Sequence, residues 1–292
     1  METYSIISPD TPSNGIVYNS PHSGRYLPVE FLNQYEGQPI RLHQSGDSRM
    51  DDVIGGITSA GSCLFKNHYG RIYVDTNRDV REIDPACLKD SPRGLQFIRS
   101  EKVMRGFGVI PMKTFDGKDI YPEPGLTHDA ARARLEEVYY PVHEALAALL
   151  EQARDRFGYY LLVDCHSMPS YRFMNSRLPS NRQADVVIGN NYDKSCSRKI
   201  SRYVAQHFEE DGLSVRFNAP YAGGYNTVHY GVPDRKRHAI QIELNRNLYL
   251  NEEDLSLNGN FENLRDSITK LADKLNREIQ SLLGIYTANS EK

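Results

Sequence analysis

The sequence predicts an α/β fold with a mostly parallel or mixed central sheet and helices on both of its faces. Short apolar runs of strand length alternate along the chain with longer stretches in which apolar residues recur at helical spacing. Alternation of this kind is typical of a sheet covered by helices. Neither an internal repeat nor a low-complexity linker is visible, so we expect residues 1–292 to form a single domain.

Three of the predicted strands lead into side chains that can perform chemistry. Each run is short and apolar, and each is followed by a polar segment. The carboxyl ends of strands in an open α/β sheet border the usual ligand crevice, so we expect these side chains to form one site. They are His22 after residues 16–18, His166 after residues 159–163, and Glu243 after residues 239–242.

The remaining elements complete the alternating pattern. A long segment rich in Pro, Gly and charge, residues 81–124, is predicted to be irregular and to form a lid or a substrate wall. Further strands are predicted at residues 63–65, 71–75 and 186–188. Helices are predicted at residues 48–54, 127–157, 194–211 and 261–283. Asp47 is a candidate cap for the first of these helices, and Pro141 is expected to kink the second.

The composition is that of an ordinary globular protein, with 39% hydrophobic and 25% charged residues. A net charge of -3 gives no reason to expect nucleic acid or a membrane surface as a partner. The amino terminus has no basic region followed by an apolar one, and we therefore expect a cytoplasmic protein. The four widely spaced cysteines, Cys63, Cys87, Cys165 and Cys196, favour neither a zinc ribbon nor a disulfide scaffold.

His22 and His166 are candidate ligands of a catalytic zinc ion. Such a site takes three protein ligands and leaves one position open for water. A carboxylate is expected as the third ligand. Asp47 is the first choice, because it follows the loop after His22, and Asp51, one helical turn further on, is the alternative. Another divalent transition metal would suit the same ligands.

Glu243 is the candidate general base. A buried glutamate beside a metal can take a proton from water and later deliver it to a leaving amine. A structural role, pairing with Arg246 at the strand end, is the alternative. Arg78 and Arg246 are candidate clamps for a substrate carboxylate, and Asn77 is a candidate substrate contact. Arg78 or His229 is also a candidate donor to the oxyanion of the reaction.

The glycine-flanked segment 223–231 is a candidate substrate loop. Gly223 and Gly224 would let the backbone approach a ligand closely, and His229 could polarise a carbonyl. The spacing does not match a phosphate-binding loop. A serine nucleophile at Ser167 is disfavoured because no Gly-x-Ser-x-Gly elbow surrounds it, and Cys165 is better read as a buried small residue.

Taken together, these motifs resemble the N-formylglutamate amidohydrolase family in their order and approximate spacing. They are the segments 21–24, 74–78, 115–117, 164–167, 223–225 and 241–246, together with Asp47 and Asp51. The resemblance implies a fold similar to the zinc carboxypeptidases, with two histidines and a carboxylate on zinc and a late catalytic glutamate. It also implies hydrolysis of N-formyl-L-glutamate to formate and L-glutamate, a late step of bacterial histidine degradation.

One position departs from the family pattern. The glycine loop of the family usually carries an arginine directly before its histidine, where this chain has Val228. The partner is therefore predicted as a small N-acyl amino acid, N-formyl-L-glutamate first, with another N-acyl amino acid as the alternative. A carboxypeptidase-like metallohydrolase and a non-catalytic carboxylate-binding module also remain candidates. The sequence leaves the oligomeric state open.

Overall fold

A computed structural model describes residues 1–85, 88–90, 97–121, 125–171, 173 and 183–285. Within these ranges the strands form one seven-stranded sheet in the order β1-β3-β2-β4-β7-β5-β6. The strands are β1 (Tyr4–Ile7), β2 (Ile16–Ser20), β3 (Cys63–Asn67), β4 (Tyr160–Met168), β5 (Val186–Gly189), β6 (Val215–Phe217) and β7 (Arg237–Asn245).

The sheet is mixed, which confirms the predicted fold class. Its centre is parallel, since β2 pairs with both β3 and β4, and β4 pairs with β7 in the same direction. Antiparallel pairs lie to either side, where β1 joins β3 and β5 joins β7. The parallel centre directs the carboxyl ends of β2, β4 and β7 to the same edge.

Helices cover both faces of the sheet. They are α1 (Val29–Leu32), α2 (Pro39–Gln44), α3 (Met50–Val53), α4 (Glu101–Met104), α5 (His128–Arg134), α6 (Tyr140–Phe157), α7 (Arg198–Glu210), α8 (Tyr225–Tyr230) and α9 (Phe261–Leu282). Alternate residues of β4 enter two separate cores. Leu161 and Val163 pack in the core that includes α7 and α9, whereas Tyr160 and Leu162 pack in the core that includes α6.

The predicted helices 127–157 and 261–283 are confirmed. Residues 135–139 form a π-helical turn between α5 and α6, and Pro141 follows this turn directly in a backbone that stays helical from α5 into α6. The other two helices are shorter than predicted. Helix α7 begins at Arg198, and α3 is capped by Arg49 and not by Asp47.

Residues 71–75 do not form the predicted strand. The backbone turns there, with Tyr73 N–H bonded to Gly70 O and Asp75 N–H bonded to Val109 O. Ile72 and Val74 are buried in a loop, so their apolar alternation imitates a strand. The short edge strands β1 and β6 were not predicted, because their residues are partly buried or exposed and give no buried apolar run.

Two further predictions concern segments that the structure describes in part. Parts of the irregular segment 81–124 lie outside the described residues, namely 86–87, 91–96 and 122–124. Cys87 is one of these residues. Cys63, Cys165 and Cys196 are buried and free.

Within the described ranges, none of the helices has the length and apolar character needed to cross a membrane.

Replacing a buried side chain of the central strand should destabilise the protein far more than replacing one at the edge. Leu162 is fully buried in β4, so Leu162→Ala is expected to lower the free energy of unfolding by about 2–5 kcal/mol. Ile7 on β1 is 44% exposed, and Ile7→Ala should change it by about 0.5 kcal/mol or less. Urea denaturation followed by circular dichroism measures both, and equal losses would contradict this placement of the core.

Candidate active site

Strand pairing brings the three strand-end residues together. His166 pairs in register with Glu243 across β4 and β7, and His22 follows two residues after the end of the neighbouring strand β2. Strand β4 continues to Met168, so His166 and Glu243 lie inside their strands, near the carboxyl ends, and not beyond them. The parallel centre of the sheet therefore positions this part of the site.

His22, Asp47 and His166 form a compact buried cluster. One nitrogen or oxygen atom from each of the three lies within 4.8 Å of the others. Asp47 Oδ2 is 2.9 Å from His166 Nδ1 and 3.4 Å from His22 Nδ1. Asp51, the alternative ligand, points elsewhere, with Lys66 Nζ 3.0 Å from its carboxylate.

A buried carboxylate holds the far nitrogen of each imidazole ring. His22 Nε2 is 2.7 Å from Asp75 Oδ1, and His166 Nε2 is 2.9 Å from Asp164 Oδ2. An ionised carboxylate only accepts hydrogen bonds, so a protonated Nε2 of either ring donates to its carboxylate. The Nδ1 atoms of both rings face Asp47.

The convergence of these three atoms suits a divalent cation. His22 Nδ1 is buried and has no hydrogen-bond partner, and a bound cation would supply one. Although burial alone would lower it, Asp164 and Asp47 raise the pKa of His166 well above its usual value. Burial opposes the ionisation of Asp47, yet His166 and His22 hold its pKa well below the ordinary range. Two imidazoles and a carboxylate, each imidazole backed by a second carboxylate, are a donor set typical of zinc.

Arg246 fixes the loop that carries Asp47. Its guanidinium donates to Gln44 O at 2.9 Å and Gly46 O at 2.6 Å, and also to Ser167 Oγ at 3.0 Å. It lies 3.4 Å from Asp47 Oδ1. Arg246 does line the cavity, but its donors are engaged by the protein, so we read it as a positioning residue and not as the predicted substrate clamp.

Glu243 lies beside the cluster with one carboxylate oxygen engaged. Gln241 Nε2 donates to Glu243 Oε1 at 2.7 Å, while the Oε1 atom of the same Gln241 accepts from Gly224 N–H at 2.7 Å. The alternative pairing with Arg246 is absent from the described contacts of Glu243. Burial raises the pKa of the Glu243 carboxyl, although the nearby His166 lowers it.

A cavity of about 290 Å³ opens over this cluster. Asp47, His166 and Glu243 line it, and part of the irregular segment 81–124 forms its opposite wall, in agreement with the predicted substrate wall. The other lining residues are Gln44, Ser45, Arg71, Ile72, Asp75, Arg78, Lys102, Arg105, Phe107, Pro111, Lys113, Phe115, Ser167, Pro169, Tyr221 and Arg246.

Several predicted substrate contacts are not among the residues that line this cavity. Asn77 is buried behind His166, with its Nδ2 3.1 Å from His166 Nε2, and Gly224 packs against it. A Cβ atom on Gly224 would lie 2.3 Å from Asn77 Nδ2, so the glycine is needed for packing within the protein. Gly223, with a φ of 128°, makes the turn into α8.

His229 is also placed away from the cavity. It lies on α8 with its ring stacked on Tyr225 at 4.8 Å between centroids, and the neighbouring Val228 is 56% exposed. Neither residue lines the cavity. Val228 therefore lies outside the cavity, and the role of His229 in polarising a carbonyl stays a prediction that the cavity lining does not support.

Arg78 does lie in the cavity wall. Its Nε donates to Phe107 O at 3.1 Å and is 3.6 Å from Asp75 Oδ2. Among the described residues, its two Nη groups have no hydrogen-bond partner, and they are available to a bound molecule.

Sequence reasoning missed two residues of this site, Asp75 and Asp164, because nothing in the pattern showed that they face histidine rings.

The chain resembles proteins that hydrolyse a formyl amide. The family model described as N-formylglutamate amidohydrolase matches residues 14–250. N-formylglutamate deformylase of Pseudomonas aeruginosa is 32% identical over 197 residues, which are 66% of this chain and 66% of that protein. The deformylase of Pseudomonas putida is 32% identical over 149 residues, or 50% of this chain and 54% of that protein. The chain thus spans about two thirds and about half of the length of these two relatives.

Two solved structures show the same architecture. N-formylglutamate amidohydrolase from Ralstonia eutropha superposes with a TM-score of 0.88 at 28% identity, covering 96% of this chain and 99% of that one. A gene product of Agrobacterium tumefaciens superposes with a TM-score of 0.66 at 16% identity, covering 97% of this chain and 96% of that one. The second likeness shows the fold alone.

The role of Arg246 as a clamp on the Asp47 loop can be tested by Arg246→Lys. A lysine cannot reproduce the planar fork that reaches Gln44 O, Gly46 O and Ser167 Oγ, so the free energy of unfolding should fall by about 1–3 kcal/mol. Arg265→Lys, at a partly exposed ion pair of α9, is the matched control and should cost about 0.5 kcal/mol or less. Urea unfolding of both variants gives the comparison. If Arg246→Lys is as stable as the control, Arg246 does not hold this loop.

Proposed function

The chain belongs to the N-formylglutamate amidohydrolase family, as its motifs predicted, and from this we propose that it hydrolyses N-formyl-L-glutamate to formate and L-glutamate. We propose further that the reaction depends on a divalent metal, zinc first, held by His22, Asp47 and His166. The observation that carries the proposal is the buried convergence of two imidazole Nδ1 atoms on Asp47, in the cavity that Glu243 also lines. A metal bound there would act as a Lewis acid toward the amide carbonyl and lower the pKa of a water molecule in the site.

Glu243 acts as the proton carrier. Its Oε1 is held by Gln241, so Oε2 is the atom that takes a proton from the attacking water. The oxygen of that water forms the new bond to the formyl carbon. The same carboxyl then delivers the proton to the departing nitrogen as the carbon–nitrogen bond breaks, and one water molecule plus the amide gives formate and the free amine. The raised pKa of buried Glu243 suits a group that must hold a proton between these steps.

Arg78 stabilises the negative charge that develops on the carbonyl oxygen. Its Nη groups are free to donate, and its Nε is held by Phe107 O, so the guanidinium is oriented before a substrate binds. Asp75 and Asp164 keep the imidazole rings in the tautomer that presents Nδ1 to the metal. A cavity of about 290 Å³ has the size for a small N-acyl amino acid.

Removing the carboxylate of Glu243 should abolish the chemistry while sparing metal binding. For Glu243→Gln we expect kcat for N-formyl-L-glutamate to fall by about 10²–10⁴-fold, since the amide cannot take a proton from water. Metal content by plasma mass spectrometry should stay at the wild-type level. Turnover within about threefold of wild type would show that another group is the general base.

The metal content should depend on His22 and His166. His22→Ala and His166→Ala each remove one of three protein ligands, so both purified variants should lose the stoichiometric metal and the deformylase activity. His128→Ala is the matched control, because His128 lies on α5 beside Asp129 and outside the cluster. A wild-type protein that binds no metal and yet binds N-formyl-L-glutamate would support a non-catalytic binding module instead.

A further inference from the structure

The basic side chains of the cavity wall differ in how they are neutralised. Arg71 is bound to Asp75, and Lys113 Nζ is 2.6 Å from Asp119. Arg246 is engaged by the loop around Asp47. Lys102 and Arg105 also line the cavity, but within the described part of the chain neither side chain has an acidic or hydrogen-bonding partner. Two positive charges are therefore available to a bound molecule.

Helix α4 presents these two cations together. Lys102 and Arg105 are three residues apart, Arg105 being the C-cap of the helix, and this spacing puts both side chains on one side of a turn. Val103 is buried and anchors the helix, and Ser100 Oγ caps it by accepting from Val103 N–H at 3.3 Å. The guanidinium of Arg105 lies 5.9 Å from the Phe107 ring, another residue of the cavity wall.

The two cations share the wall of one cavity with Arg78. Arg78 Nε is 3.6 Å from Asp75 Oδ2, and Asp75 in turn holds a histidine ring of the buried cluster, so Arg78 lies close to the reacting centre. Lys102 is an exposed residue, and desolvation of its ammonium group and the charge of Arg78 both lower its pKa. Glu243 lines the same cavity as these three cationic side chains.

We propose that Lys102 and Arg105 form the subsite for the anionic side chain of the substrate, and so select an N-acyl amino acid with a side-chain carboxylate. The inference rests on the proposed deformylase function. The amide to be cut is attached to Cα, whereas the side-chain carboxylate of a glutamyl substrate is separated from Cα by two methylene groups. A cation for that carboxylate therefore has to come from a part of the cavity wall other than β7, which carries Glu243, and α4 supplies two. The exposed Val228 takes no part in this subsite.

The test compares two substrates of nearly equal shape, N-formyl-L-glutamate and N-formyl-L-glutamine. Wild-type protein should prefer the glutamate by kcat/KM. The Lys102→Gln/Arg105→Gln double variant should lose about 10- to 100-fold in kcat/KM for N-formyl-L-glutamate, because charge-assisted hydrogen bonds are lost. Its kcat/KM for N-formyl-L-glutamine should change by about twofold or less, which also shows that the variant is folded.

Two further variants separate charge recognition from a structural effect. Lys113→Gln lies in the same wall, but its charge is already paired with Asp119, so the preference for glutamate should be unchanged. Lys102→Arg keeps the charge and should keep the preference. A double variant that retains the wild-type ratio of the two kcat/KM values would overturn the proposed subsite.

A binding measurement keeps this test independent of turnover. Calorimetric titration of the Glu243→Gln protein with each compound gives a Kd for N-formyl-L-glutamate and one for N-formyl-L-glutamine. Adding Lys102→Gln and Arg105→Gln to this protein should abolish the difference between the two Kd values. If wild-type protein hydrolyses neither compound, the proposed deformylase function fails, while the titration still decides the subsite. Equal Kd values for the two compounds in the Glu243→Gln protein would overturn the subsite even if hydrolysis is observed.

Discussion

The site depends on the hydrogen bond between each histidine ring and a buried carboxylate. Asp75 and Asp164 hold the Nε2 atoms of His22 and His166, and the Nδ1 atoms of both rings face Asp47. In the absence of a cation this arrangement leaves a buried nitrogen of His22 unpaired. A bound positive charge would offset the cost of burying such an atom, so the packing of the protein interior forms a position that suits a cation.

The residues of this arrangement come partly from paired strands and partly from a loop. Strand β4 and strand β7 set the spacing of His166 and Glu243 by direct register, which leaves little freedom in their separation. Asp47 comes from a loop and needs the Arg246 fork to hold it in place. The wall opposite the sheet comes from the irregular segment 81–124, where α4 adds cations without altering the strands. In the proposed function, chemistry and substrate choice are carried by separate parts of the chain.

Much of the fold could be predicted from the sequence because buried strands and amphipathic helices have distinct hydrophobic periods. His22, His166 and Glu243 could be placed for the same reason, since each follows or ends an apolar run. The periodicity could not distinguish the buried loop at residues 71–75 from a strand. Side-chain partners are set by tertiary contacts, and the pattern therefore gave no sign that Arg246 clamps a loop or that His229 stacks on Tyr225 outside the cavity.

The most direct test of the metal position is an anomalous-scattering crystal structure of the protein grown with zinc. We expect one strong peak about 2.0–2.2 Å from His22 Nδ1, His166 Nδ1 and a carboxylate oxygen of Asp47, with the Nε2 contacts to Asp75 and Asp164 retained. Zinc bound through Nε2, or a peak away from these three side chains, would contradict this assignment of the site.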